Sequence, residues 1–387
     1  MRLVLCALSL CGTAFAEEQA PTPLGDAEAA MFSISGFGTA GLAHSSEHKA
    51  DFMATDLQRH GVGYSRKWST EVDSRAGVQL TGRFTPELTG VLQVTSEQRS
   101  DGSYDPKVEW ANLKYQVTPD LSIRAGRIVL PTFILSDSRK VGYASPWVRP
   151  PVEVYGLVPL TRSDGVDISY RKRLGEVTNT VQLSYGESSA QVPSEGKVNS
   201  VGGEVTGKNA WGIIDTLEYG NATLRLSYIK ADLTITPYKT LFDAYRQFGA
   251  LGLSQANAIA EKYDPDNKPF YTLAVGASYD PGRWFVMGEW GVISTDSVYG
   301  KRSAWYVTSG YRFGKFTPYV SYAQARLNSN ASDPGLSLAY VPPAYRTTAA
   351  YLNGELNEQL GAAPVQKTIS LGMRWDFAKN VALDFVF

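Results

Sequence analysis

The stretch 70–85, TEVDSRAGVQLTGRFT, alternates residue by residue between two kinds of side chain. Val72, Ala76, Val78, Leu80 and Phe84 fall on one face of an extended chain, while Glu71, Asp73, Arg75, Gln79, Thr81 and Arg83 fall on the other. Successive side chains of a strand point to opposite faces, so this segment separates an apolar medium from water. The split recurs in 164–174, where Val166, Ile168 and Tyr170 oppose Asp167, Ser169 and Arg171, and in 222–230, where Leu224, Leu226 and Tyr228 oppose Arg225 and Ser227. In 369–377, Ile369, Leu371, Met373, Trp375 and Phe377 oppose Ser370, Gly372, Arg374 and Asp376.

A soluble sandwich also alternates, so the connections discriminate. Short turns at Pro86, Pro119, Gly175, Gly220, Pro281, Gly314 and 377–380 use residues that fix φ or permit φ above zero. Between them lie longer polar connections near 44–69, 99–106, 131–163, 187–208, 231–268, 294–299 and 327–364. Regular exchange of short and long connections marks an antiparallel transmembrane β-barrel with short periplasmic turns and long outer loops. Phe84, Tyr115, Tyr219, Tyr279 and Phe313 sit at short turns, where an aromatic girdle meets lipid headgroups.

The alternation gives strands over 31–43, 70–85, 88–98, 107–117, 121–130, 164–174, 176–186, 209–219, 221–230, 269–279, 283–293, 300–313, 315–326, 365–377 and 381–387. These are fifteen, whereas a bacterial single-chain barrel takes an even number, so the all-β fold is expected at about 16 strands. Either a strand is hidden in 196–207 or a last outer hairpin is lacking.

Composition agrees with strands rather than helices: 22 Tyr, 15 Phe and 8 Trp accompany 36 Gly and only 5 Met. Residues 1–16 read as a secretory signal, with Arg2, an apolar stretch from Leu3 to Leu10 and an Ala14-Phe15-Ala16 cleavage motif. Residues 17–30 would be a periplasmic N-terminal linker and 31–387 the barrel domain. Cys6 and Cys11 both lie in the signal, which leaves a mature chain without thiol chemistry. Acids and bases nearly balance at a formal charge of −1, which speaks against a nucleic-acid partner.

The mature chain resembles the Gram-negative trimeric porins, sixteen-stranded general diffusion barrels, over nearly its whole length. The carrying residues are the opening 32–39, FSISGFGT, the strand 121–127, LSIRAGR, leading into a long third loop, and the terminal 381–387, VALDFVF. The ending, with Phe387, Phe385, Leu383 and Val381 at alternate positions, looks like the family's signal for outer-membrane assembly. The resemblance implies an outer-membrane homotrimer, set in lipid bilayer and lipopolysaccharide and inserted by the outer-membrane assembly machinery. It also implies that 131–163 folds into the lumen as a constriction loop, bringing Asp137, Arg139, Lys140, Arg149, Glu153 and Arg162 to the pore. Five prolines, at 131, 146, 150, 151 and 159, would stiffen it.

On the wall, alternation turns Arg75, Arg83, Lys114, Arg124, Arg171, Arg225, Arg312 and Arg374 inward, against Glu71, Asp73, Asp167, Glu289 and Asp376. Charged rings set ion preference at close range, so this excess of bases points to mild anion selectivity. Arg127 keeps register with the lipid face and needs a bulge to reach the pore. Segment 240–262 has helical patterning inside an outer loop. His44, His48 and His60 all fall in the first long loop, without the helix that an i, i+4 metal pair requires, so neither metal nor cofactor is expected. The expected function is passive diffusion of small hydrophilic solutes through a water-filled channel. A substrate-specific channel is the nearest alternative. An outer-membrane barrel enzyme is the rival from another class, and it would need a wall histidine with a Ser or Asp partner.

Overall fold

The computed structural model describes residues 31–193 and 202–387 in full and the main chain of residues 3–12. Besides three two-residue strands in the first loop, their strands are β1 Leu3–Gly12, β2 Phe32–Ser45, β3 Arg75–Arg83, β4 Leu88–Glu97, β5 Lys107–Thr118, β6 Leu121–Val129, β7 Arg162–Leu174 and β8 Val177–Val192. The second half adds β9 Gly203–Tyr219, β10 Ala222–Ile235, β11 Lys268–Tyr279, β12 Trp284–Thr295, β13 Arg302–Tyr311, β14 Phe316–Leu327, β15 Gln366–Ala378 and β16 Val381–Val386. Every neighbour pair is antiparallel, and the pairings run from β2 round to β16 and return through β1 to β2. The result is a closed ring of sixteen strands, which leaves no free sheet edge among the described residues.

The sixteenth strand of the described ring is Leu3–Gly12 and not an added hairpin, and residues 196–201 of the expected segment lie outside the described residues. Residues 3–12, expected to be a leader, hold that place in the ring, with Leu5 opposite Val386 on one side and Ala43 on the other. Residues 203–207 extend β9 instead. The sequence hides this extension because bulges between Gly186 and Ser188 and between Lys208 and Trp211 shift the alternation by a residue. The linker expected over 17–30 lies outside the described residues.

Alternation sorts the side chains as physics requires. Val78, Leu80, Ile168, Leu183, Leu224, Leu273, Val307 and Leu371 are exposed on the outer face. Two aromatic belts bound this band. Phe84, Tyr115, Tyr219, Tyr279 and Phe313 are exposed at the short turns, joined by the Phe316–Trp375 and Tyr279–Trp284 ring contacts. Toward the long loops stand the Trp211–Tyr228 and Trp305–Tyr322 pairs. A polar pair lies in this band, where Asn179 Nδ2 donates to Asp215 Oδ1 at 2.5 Å.

The expected strand over 70–85 begins only at Arg75. The Ser74 hydroxyl donates to the Thr70 carbonyl at 2.5 Å and accepts from Gly41 N–H, bending the chain just before the ladder. Val72 is thereby turned inward against Ala43 and Val62 rather than toward lipid, and Glu71 and Asp73 belong to the first loop. His44 falls on β2, not in that loop, and packs against Trp68 with ring centroids 4.4 Å apart and the planes tilted by 46°.

At the long-loop rim the helical patterning of 240–262 resolves into two helices, α2 Lys239–Ala250 and α3 Ser254–Tyr263, divided at Gly252, where φ is +95°. A further helix, α4 Arg346–Gly361, rises from the β14–β15 connection and went unread in the sequence. Phe242, Tyr245, Ile259, Leu352 and Leu356 bury one another in a small helical cap. Tyr263 Oη donates to Asp333 Oδ2 at 2.6 Å and joins two of the loops.

The two faces of the wall differ in tolerance. Val307→Arg on the outer face is expected to destabilise the inserted barrel by about 2–4 kcal/mol, while Gln79→Arg on the lumen face costs less than about 1 kcal/mol. Urea unfolding from lipid vesicles measures both, and equal costs would contradict the assignment of faces.

Candidate functional site

The long connection between β6 and β7 turns inward instead of standing over the rim. It occupies 130–161, so Arg162 and Ser163, expected in the loop, are the first residues of β7. Within it lies a short helix, α1 Val152–Tyr155.

One side of this loop is apolar. Phe133, Trp147, Val154, Tyr155 and Leu157 are buried against Ala274, Ile293, Ala304, Tyr306, Tyr319 and Ala323 of β11–β14. Small wall residues make the room. At Gly276 a Cβ would stand 2.6 Å from the Ile134 side chain, so glycine there admits the loop. Beneath this contact Glu289 accepts from Tyr155 Oη at 2.6 Å, Tyr306 Oη at 2.9 Å and the Ile134 N–H at 2.8 Å. Three donors satisfy a buried carboxylate that would otherwise be costly.

The other side is charged. Arg149 donates to both oxygens of Asp73 at 2.6 Å, with its guanidinium over the Phe52 ring. Lys140 bridges Glu97 at 2.5 Å and Glu109 at 2.9 Å, and Arg162 reaches Glu109 at 3.3 Å. Arg139 donates to the Val158 carbonyl at 3.3 Å and lies over the Tyr155 ring. Glu153 is buried and accepts from Gln366 at 2.8 Å and from Thr368. Asp137 is exposed.

The wall bases divide by task. Arg225 donates to the Phe133 carbonyl at 2.9 Å, and Arg374 donates to the carbonyls of Tyr143 and Ser145 at 2.7 Å. These two arginines hold the loop's own main chain and so are tethers. Arg124 is paired with Asp167 at 2.7 Å, and Arg171 with Glu218 at 3.1 Å. Arg374 also pairs with Asp376 at 2.7 Å. Arg75 stands 3.8 Å from Asp73, Arg83 is exposed at the short-turn rim, and Lys114 is half-buried on β5. Arg127 stays on the outer face, gripping Asp164 through two bonds of 2.7 and 2.8 Å. Glu71, expected on the wall, is bound in the first loop by Arg66, His60 and Gln98.

Glu97 and Glu109 were not among the expected acids. Glu109 reaches the lumen because a bulge between Gln93 and Val94 pairs Trp110 and Val108 with successive residues of β4. A charged residue in an otherwise period-two strand was the available signal.

Two cavities remain beside the loop and meet at Arg149. One of about 920 Å³ lies between 50–56, 147–157 and the β13–β16 wall. The other, of about 130 Å³, lies among β3, β4, β5, β7 and β8. Among the described residues no group of three or more His, Cys, Asp or Glu side chains is placed to hold a metal. The terminal Val381, Leu383, Phe385 and Phe387 lie on alternate positions of one extended run, opposite buried Ala382 and Asp384.

No family model matches this chain, and no characterised protein matches it in sequence. Among solved structures it is similar to Salmonella typhi OmpF in complex with daunomycin, with 13% identity, coverage of 100% of this chain and 95% of that one, and a TM-score of 0.48. It is also similar to the outer membrane channel DcaP of Acinetobacter baumannii, with 11% identity, 99% and 94% coverage and a TM-score of 0.47. A third is the anion-selective porin from Comamonas acidovorans, with 10% identity, 100% and 99% coverage and a TM-score of 0.33. The barrel architecture stands on this chain's own strand pairing.

Asp73→Asn leaves Arg149 largely buried and uncompensated, so a loss on the order of 3 kcal/mol is expected. Arg149→Met in the same background should recover most of it. Urea midpoints of the single and double variants decide, and a single variant as stable as the parent would show that the tether does not hold the loop.

Proposed function

We propose that the chain forms a water-filled pore in a Gram-negative outer membrane, through which small hydrophilic solutes and ions diffuse passively. The observation that carries this reading is the loop 130–161, seated inside a wall whose outer face is apolar and belted by aromatic rings. A loop bonded to the lumen side by Arg225, Arg374 and Glu289 narrows a passage to a fixed cross-section. A barrel enzyme is the poorer reading, because His44, on β2, stands on the outer face against Trp68.

Mild anion preference belongs to the proposal and rests on Arg75, Arg139, Lys140 and Arg162 gathering on one side of the loop. Homotrimer assembly, contact with lipopolysaccharide and recognition of Phe387, Phe385, Leu383 and Val381 by the assembly machinery are carried over from the resemblance to trimeric porins. Residues 1–16 are proposed as an export leader.

Purified protein reconstituted in a planar bilayer is expected to give discrete conductance steps in potassium chloride, with a reversal potential in a salt gradient that favours chloride. Absence of steps overturns the pore; a cation-selective potential overturns only the anion preference.

Intact mass of the membrane-extracted protein is expected to place its first residue at Glu17. A mass that retains Met1 makes residues 3–12 a permanent wall strand and removes the leader.

A further inference from the structure

The smaller cavity beside the loop has an unbalanced lining. Its wall carries Arg75, Arg99, Lys107, Arg139, Lys140 and Arg162, with Glu97 as the lining acid. The carboxylates nearby are already engaged. Glu97 and Glu109 share Lys140, and Glu109 also takes Arg162. Asp73 gives both oxygens to Arg149 and lies 3.8 Å from Arg75. Arg99 has only the exposed Asp105 at 3.8 Å, and its buried Nε–H has no hydrogen-bond partner. No carboxylate among the described residues lies within ion-pair distance of Arg139 or Lys107, although both face this cavity.

We infer that this cavity is a docking site for a small oxyanion, a phosphate or short carboxylate, on its way through the pore. The inference rests on the channel reading and deepens it by naming the class of solute. Planar guanidinium forks present paired donors that match the oxygens of a phosphate or carboxylate, whereas a bare halide accepts them without geometric preference. The volume of about 130 Å³ has room for roughly four waters, which is the scale of such an ion. Gln58, Gln98 and Gln191 also line the cavity; the Gln58 and Gln98 amides each spend one donor, on the Val72 carbonyl and on Glu71, and an amide nitrogen carries a second. A partly enclosed site of low dielectric strengthens each contact, and opening toward Arg149 lets the anion leave.

The test is single-channel recording of the wild-type barrel in potassium chloride with added inorganic phosphate, and in a second arm succinate. Saturable reduction of the chloride current by either anion is expected. The double variant Lys107→Gln/Arg139→Gln should raise the half-blocking concentration about tenfold, since two charges are lost from one partly desolvated site. Lys239→Gln on α2, which removes a charge far from the cavity, should leave the block as it was. Heat-modifiable mobility confirms that each variant is folded. Should the double variant fail to insert, Arg99→Gln carries the same test, because its single ionic partner is exposed. Block that the variants leave unchanged, or steps that neither anion reduces, overturn the docking site alone. A wild type that gives no steps overturns the channel and this inference with it.

Discussion

Hydrocarbon offers no hydrogen-bond partner, and that single fact dictates the closed ring. Each unanswered N–H or C=O at membrane depth costs several kcal/mol, so a sheet there survives only without edges. The direction of the chain then restricts closure. Strands β2 and β16 both run from the short-turn rim toward the long loops, so they cannot pair antiparallel with each other. A strand of opposite direction must stand between them, and in this structure Leu3–Gly12 does so. Its sequence, LVLCALSLCG, is apolar on nearly every residue and lacks the alternation of the other fifteen strands. Backbone demand places it, not the pattern of its side chains.

How much could be read from the residues follows from what each signal depends on. The outer face depends on lipid alone, which every strand meets in the same way, so Val78, Ile168, Leu224 and Leu371 were legible one by one. Register depends on bulges, which leave no local mark. The shift at Gly186 concealed the height of β8, and the shift at Gln93 concealed that Glu109 faces the lumen. Val72 fits the alternation of its neighbours, yet one hydroxyl at Ser74 bends the chain and reverses its direction. In α4, Ala349, Leu352, Leu356 and Leu360 carry helical spacing, but a polar loop background of Thr, Asn and Gln masked it.

The candidate site was less legible because charge is counted along a sequence and acts in space. Arg225 and Arg374 belong to the excess of bases, yet their donors are spent on carbonyls of the inward loop, where they do the work of ladder partners. Arg124 is cancelled by Asp167. A count over the wall therefore says little about the field in the passage, and the pairings must be known first.

What sets that field is the two-sidedness of the loop. Its rings are buried against the alanines and tyrosines of β11–β14, and the open space beside the loop divides into a flank of about 920 Å³ toward β13–β16 and one of about 130 Å³ toward β3–β5. Its lysine and arginines face β3–β5, where the wall supplies Glu97 and Glu109 but not enough acid to match them. A solute that enters the smaller flank thus meets the local surplus of cations rather than the nearly neutral whole. The apolar grip on one wall and the ionic character of the other are one arrangement: moving the loop toward the centre would expose Phe133 and Trp147 and at the same stroke break the Arg149–Asp73 pair.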